Sequence, residues 1–404
     1  MRACALLPLL ALAGASAAAA GDRVVLDGMI DVRAVYADAT PSFLYGGLGR
    51  LRFDDQHEGL RLGRAFAALR FRVTDTLTTN LLAEAYGDGD KYAVGLAEAW
   101  LGWRPFPRGP LRWQLKVGAF HLPVSLEHRL TGWTSPYTIT GSALNSWIGE
   151  EFRVAGAELE ARWLGASHNY RGSVALVAGV FVWNDPAGAI IAQRGWALSD
   201  RPSVLWSGLG RPRVDLYYEI DGRPGGYTGL SWRHHDRLEV RLLHYDNRAD
   251  PGAHNGSGDF AWDTRFTSAG VRWEPVDHFS FLAQRLDGIT YVGANGSDDQ
   301  FVMRLSAWYG LASAEFGRER FSARFDHFLT KQDRGVYGPP ADDAGHAFTL
   351  AWMHRLAPGW ELAAEWLRVR SAYPARIALG LAAGVTEQQL QIALRYRLRL
   401  EGGT

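Results

Sequence analysis

Residues 390–400 read L-Q-I-A-L-R-Y-R-L-R-L. Leu390, Ile392, Leu394, Tyr396, Leu398 and Leu400 alternate with Gln391, Ala393, Arg395, Arg397 and Arg399. Successive side chains of a strand point to opposite faces, so one face here is apolar and the other cationic. A soluble sandwich would turn the arginines to bulk water. A membrane-spanning barrel would turn the apolar face to lipid and the arginines to a wet lumen. Which applies depends on whether the rest of the chain repeats the pattern.

It does. Residues 24–36 set Leu26, Ile30, Val32, Ala34 and Tyr36 against Asp27, Asp31 and Arg33. In 64–73, Ala65, Ala67, Leu69, Phe71 and Val73 oppose Arg64, Arg70 and Arg72. Strands 77–86, 97–104, 111–120 and 154–163 follow, with Ala97, Ala99, Leu101 and Trp103 among the side chains expected to face outward. Glu84, Glu98, Arg104, Arg112, Lys116, Glu158, Glu160 and Arg162 fall on the inward parity. The later candidates are 170–183, 227–233, 237–245, 264–273, 278–286, 304–314, 320–328, 347–355, 360–369 and the closing stretch. They make about sixteen strands, an even number as single-chain bacterial barrels require.

Connection lengths give an independent signal. Short turns near Thr74, Pro105, Gly165, His235, Pro275, Gly317 and Pro358 alternate with long links at 38–60, 87–93, 121–150, 184–226, 247–263, 289–303, 329–345 and 370–388. Short periplasmic turns alternating with longer external loops mark an up-and-down barrel, and the parity puts both termini in the periplasm. Trp103, Trp113, Trp163, Trp232, Trp273 and Trp360 each stand near a short turn on the apolar parity, where an interfacial aromatic girdle belongs. The expected fold is an all-β transmembrane antiparallel barrel.

Composition narrows the function. The 404 residues carry 43 basic and 43 acidic side chains, so no whole-protein field favours nucleic acid. Residues 1–20, MRACALLPLLALAGASAAAA, read as a secretory signal peptide cut after Ala20, leaving 21–404 as an outer-membrane β-barrel. Cys4, the sole cysteine, lies inside that signal, so the mature chain is expected to have no disulfide, thiolate metal site or cysteine nucleophile. No spacing of His, Ser and Asp singles out a catalytic group. His234-His235-Asp236 and Asp88-Gly89-Asp90 read as solvated turns rather than metal sites, so neither metal nor cofactor is expected.

The link 121–150 is the candidate constriction loop, bearing His121, Glu127, His128, Arg129, Trp133, Tyr137 and Trp147. Its aromatic rings would be costly as one exposed patch, and folding into the lumen would bury them. Packing on the outer rim or at a subunit contact is the other reading. The firmest pore-lining candidates are Arg33, Arg64, Arg70, Arg72, Arg104, Arg112, Lys116, Arg162, Arg241, Arg324, Arg395 and Arg397, with Asp31, Glu84, Glu98, Glu158, Glu160 and Asp326 beside them. Excess lumenal arginine would concentrate anions. Arginine–carboxylate rungs between neighbouring strands would instead give rigidity with little selectivity.

With these segments placed, the chain resembles the phosphate-selective porin O and P family of bacterial outer-membrane channels. The likeness rests on 60–73 with its return strand 77–84 and on Val117-Gly118-Ala119-Phe120 with Pro123 and Glu127, which resembles the family's G-x-F-x-x-P-x-x-x-E approach to its third loop. Arg324-Phe325-Asp326-His327-Phe328, Asp333 and the closing strand 387–400 also fit. The resemblance implies a passive porin, a homotrimer in outer-membrane lipid, passing small hydrophilic anions, phosphate-like ones among them. Two departures stand out. No lysine occurs between Lys116 and Lys331, and the chain ends Glu401-Gly402-Gly403-Thr404 rather than on an aromatic residue. The readings from other classes are an outer-membrane barrel enzyme of lipase or protease type and a secreted carbohydrate-binding β-sandwich.

Overall fold

The computed structural model describes residues 23–88, 93–165, 170–209, 214–294, 297, 299–338 and 340–402. The signal peptide assigned to 1–20, and Gly89 and Asp90, lie outside them. Sixteen strands form one antiparallel barrel: β1 (Val24–Asp38), β2 (Gly59–Arg72), β3 (Leu77–Ala85), β4 (Val94–Trp103), β5 (Leu111–His121), β6 (Arg153–Leu164), β7 (Gly172–Val182) and β8 (Gly225–His234), then β9 (Leu238–Asp246), β10 (Asp263–Trp273), β11 (Phe279–Val292), β12 (Phe301–Phe316), β13 (Glu319–Arg334), β14 (Asp343–Ala357), β15 (Trp360–Ala372) and β16 (Gly384–Glu401). Each strand pairs with its neighbours in chain order, and β1 also pairs with β16, so the sheet closes on itself. A soluble sandwich is thereby excluded. No helix is long and apolar enough to cross a membrane among the described residues.

Outward residues such as Ile30, Val32, Leu176, Val180, Ile392 and Leu394 are exposed, as a lipid-facing belt requires. Trp103, Trp113, Trp232, Trp273 and Trp360 stand exposed at the short-turn end. One parity expectation fails. A bulge between Leu82 and Ala83 carries the β3–β4 register from Glu98 to Leu96, and Ala97, expected to face outward, is buried against Met29, Phe66 and Leu82 on the inner side. The His234-His235-Asp236 stretch closes a tight hairpin, with His235 and Asp236 both left-handed.

The external half of the barrel is filled. Helix α1 (Ala143–Glu151), with Ser142 accepting from Asn145 N at 3.2 Å as its N-cap, lies inside with every residue buried. A second excursion, described over 183–209 and 214–224, carries α2 (Ala189–Arg194), and Ile190, Trp196 and Leu198 turn inward. Leu144, Trp147 and Ile148 from one segment and Ile190, Trp196 and Leu198 from the other join inner-face Phe181, Tyr245, Phe266 and Leu305 in one core. Towards the short turns the inner face opens, leaving Arg70 and Arg72 exposed and Asp27 and Asn80 half-buried.

Candidate permeation site

Arg324 of β13 anchors the first inserted segment to the wall. Its Nε binds Asp326 at 2.8 Å, Nη1 donates to Thr138 Oγ1 at 3.1 Å and Thr140 O at 2.7 Å, and Nη2 donates to Gly141 O at 2.9 Å. Glu127 completes the cluster 3.4 Å from Arg324 and accepts from Ser142 N at 2.8 Å and Ser142 Oγ at 2.6 Å. Burial raises the Glu127 carboxyl, but Arg324 and the Ser142 donors outweigh it and hold the group below its ordinary value. Glu365 on β15 receives Ile139 N at 2.6 Å and Thr140 N at 3.1 Å.

A second cluster ties the 183–224 segment to β1. Arg33 binds Asp31 and Asp200, each at 2.8 Å, and Asp200 also takes Arg52 of the first external link at 2.8 Å. Arg395 meets the other side of Asp31 at 2.7 Å. Arg64 pairs with Glu84 and donates to the backbone of Gly132, while Trp133 is stacked between His121, at 4.5 Å, and His128, at 4.7 Å. His121 ends β5 rather than belonging to the loop, and its Nδ1 lies 2.9 Å from Glu98. Burial pushes the His128 imidazole down to about 4, leaving it neutral at physiological pH. Together with Arg70, Asn80 and Trp100 these rings line a 240 Å³ cavity. Tyr137 and Trp147 are buried, whereas Arg129 is more than a third exposed, 3.9 Å from Glu239.

The inner wall thus separates two kinds of arginine. Arg33, Arg64, Arg324 and Arg395 are buried and paired, and Lys116–Glu158, Arg162–Glu160 and Arg241–Glu239 add pairs at 2.8, 2.9 and 2.7 Å. Arg70, Arg72, Arg104, Arg112 and Arg397 have no ion-pair partner among the described residues; Arg70 and Arg104 bond instead to the amides Asn80 at 3.0 Å and Gln114 at 2.7 Å. The rung reading describes the depth of the barrel and part of the short-turn mouth, where Arg162–Glu160 and Arg272–Glu274 are paired; the arginines without a carboxylate stand at that same mouth, Arg112 directly opposite Arg162.

Several residues here were not among those singled out in the sequence: Arg52, Asp200, Glu150, Glu151, Arg194 and Glu365. Most lie in long links where no period-two pattern points to them. A usable signal was the density of Ile190, Ile191, Trp196, Leu198 and Leu205 within 184–226, too apolar for an exposed loop. At the root of that segment Asp185, Glu219 and Asp221 bring carboxylate oxygens within 4.8 Å of one another. Burial raises Asp185 to about 6, and it accepts from the backbone N–H groups of Ile220 and Asp221.

Glu151 joins the two inserted segments, accepting from Ile190 N at 2.8 Å, Gly188 N at 3.2 Å and Trp147 Nε1. Burial pushes its carboxyl up to about 7, against the opposing effect of these donors and Arg194. A raised value favours the protonated form in the folded state. The stabilisation is therefore complete below the ordinary value of 4.5 and is lost as pH rises through about 7, the reverse of Glu127. The temperature at which the folded gel band disappears should fall between about pH 5 and about pH 8, and Glu151→Gln should remove most of that fall. An equal fall in the variant would exclude Glu151 as its source.

No family model matches the chain, and no curated protein does. Its likeness to solved structures is one of fold. DcaP, an outer membrane channel of Acinetobacter baumannii, superposes with a TM-score of 0.57 at 10% identity, covering 94% of this chain and 98% of that one. OmpF of Salmonella typhi, in complex with daunomycin, gives 0.53 at 12% identity over 94% and 99%. In-vitro folded OmpT, an outer membrane protein of Vibrio cholerae, gives 0.51 in its trimer form at 12% identity over 93% and 100%. The fold is the sixteen-stranded porin-type barrel. With its apolar belt and aromatic girdle, it places the chain in the outer membrane.

Proposed function

We propose that this chain is a passive porin of narrow bore that favours small hydrophilic anions, phosphate-like anions among them, and works as a homo-oligomer. The observation that carries the reading is the charge distribution along the inner wall. Deep arginines are neutralised by carboxylates, while Arg70, Arg72, Arg104, Arg112 and Arg397 face the periplasmic mouth without one. Unpaired guanidinium groups around a low-dielectric mouth raise the local anion concentration and replace part of the water a permeating anion sheds. The candidate constriction, 121–150, acts with 183–224 to set the bore. No bond is made or broken, and neither metal nor cofactor takes part.

An enzymatic reading has Ser125 Oγ and His128 Nδ1, 2.9 Å apart, to rest on. That serine also accepts from His128 N at 3.1 Å, the local turn bond expected of a structural residue, and both side chains are buried in the inserted segment. The test is charge reversal at the mouth. Arg70→Glu with Arg72→Glu should lower the anion-to-cation permeability ratio by about threefold or more at low ionic strength, where screening is weakest. An unchanged ratio, or hydrolysis of lipid or peptide by the purified protein, would count against the proposal.

A further inference from the structure

On β7 and β16 the outward parity stays apolar along the strand, from Val174 to Val182 and from Leu390 to Leu400. From β8 to β15 it breaks off partway, with Thr228 following Leu230 on β8, His346 following Phe348 on β14 and Arg368 following Trp366 on β15. The run Phe279, Phe281, Ala283 of β11 gives way to Arg285 and Asp287. On the strands before it, Leu242 gives way to His244 and Ala269 to Thr267; on those after it, Trp308 gives way to Ser306 and Phe325 to His327.

These polar groups lie deep. At a rise of about 3.3 Å per residue and a strand tilt of about 40°, Arg285 stands about 15 Å along the membrane normal from Phe279 at the short-turn girdle. That is near the middle of an apolar band about 25 Å tall. There Arg285 grips both oxygens of Asp287 at 2.6 and 2.7 Å, and the two side chains are 61% and 53% exposed. His244 Nδ1 lies 2.9 Å from Thr267 Oγ1 on the same wall. An ion pair turned to acyl chains at mid-height is strongly disfavoured, whereas one covered by another polar protein surface is not. Nearer the short turns the small residues Ala283, Gly310, Ala312 and Ala323 open a 710 Å³ groove edged by Trp273 and Phe348, the shape that lets two membrane-embedded surfaces approach closely.

We infer that the outward face of β9 to β14 is where this chain docks on a second copy of itself within the membrane. Donor and acceptor charges stand side by side in Arg285–Asp287, and again in Arg304–Asp333 at 2.5 Å, so an identical face set slightly offset complements this one. A lipid headgroup would meet basic residues at the bilayer surface, not at mid-height. The inference rests on the homo-oligomer part of the proposed function and adds which wall is used.

The test places photoreactive benzoylphenylalanine at position 306 on β12, or at position 178 on the outward face of β7, in the full chain in outer-membrane vesicles. Crosslinks between copies are expected from 306 and not from 178. Crosslinks from 178 alone would overturn the choice of wall and leave the oligomer standing. A monomer by native mass measurement would overturn both. A product of 306 with lipopolysaccharide or another protein would overturn the choice of a second copy. Independently, Arg285→Leu with Asp287→Leu should lower the oligomeric fraction by about tenfold while the folded monomer keeps its single-channel conductance. Full retention of the oligomer would show that the pair faces lipid.

Discussion

Deleting residues 187–216 and joining the cut ends with a short Gly-Ser linker should raise single-channel conductance by about tenfold. Asp185 N donates to Tyr218 O at 3.2 Å, so the excursion leaves and returns at adjacent points and can be removed at its neck. What goes with it is the apolar fill of the external half: Ile190, Ile191, Trp196, Leu198 and Leu205, all buried. Asp200 goes too, leaving Arg33 paired with Asp31 at 2.8 Å and Arg52 3.8 Å from Asp88. The sixteen-strand ladder does not run through the deleted residues, so the variant should still insert and migrate as a folded barrel. Unchanged conductance in a correctly inserted variant would place the segment outside the path of permeation.

Arg324→Ala should be the most destabilising single substitution in the barrel. It leaves Asp326 and Glu127 buried without their shared cation and removes the donors to Thr138 Oγ1, Thr140 O and Gly141 O. Breaking a buried pair in this way costs about 3–5 kcal/mol. Arg324→Lys keeps the charge but not the planar fork, so it should recover only part of the loss. The urea midpoint for loss of the folded barrel reports the effect, and bursts of larger conductance should appear as 122–152 loosens from the wall. A loss below about 1 kcal/mol for the alanine variant would mean that the cluster does not hold the segment.

The wall was legible in the sequence because a barrel strand states its two faces every second residue, and lipid on one face forbids ambiguity. All sixteen strands, and the alternation of short and long connections, follow from that rule. Ala97 escaped it because a bulge resets the parity locally, and a bulge leaves no mark in the alternation itself. The interior was less legible. Arg33, Arg324 and Arg395 fall on the inward parity, yet parity cannot say whether an inward arginine meets water or a carboxylate. That depends on Asp200 and Glu127, which reach the wall from links with no period of their own. The aromatic content of 121–150 pointed to burial. The isoleucines of 184–226 carry the same pressure towards burial, but they fall in a link without a period of its own. The outward Arg285–Asp287 pair shows the converse case, where a break in the apolar pattern carries information about what covers the wall.

A water-filled path biased towards anions by mouth arginines can be read from the unmodified protein in a planar bilayer under a potassium chloride gradient. Stepwise openings of small conductance, with a reversal potential displaced towards the chloride equilibrium potential, are the predicted result. A membrane that stays silent after insertion, or a reversal potential on the potassium side, would contradict it.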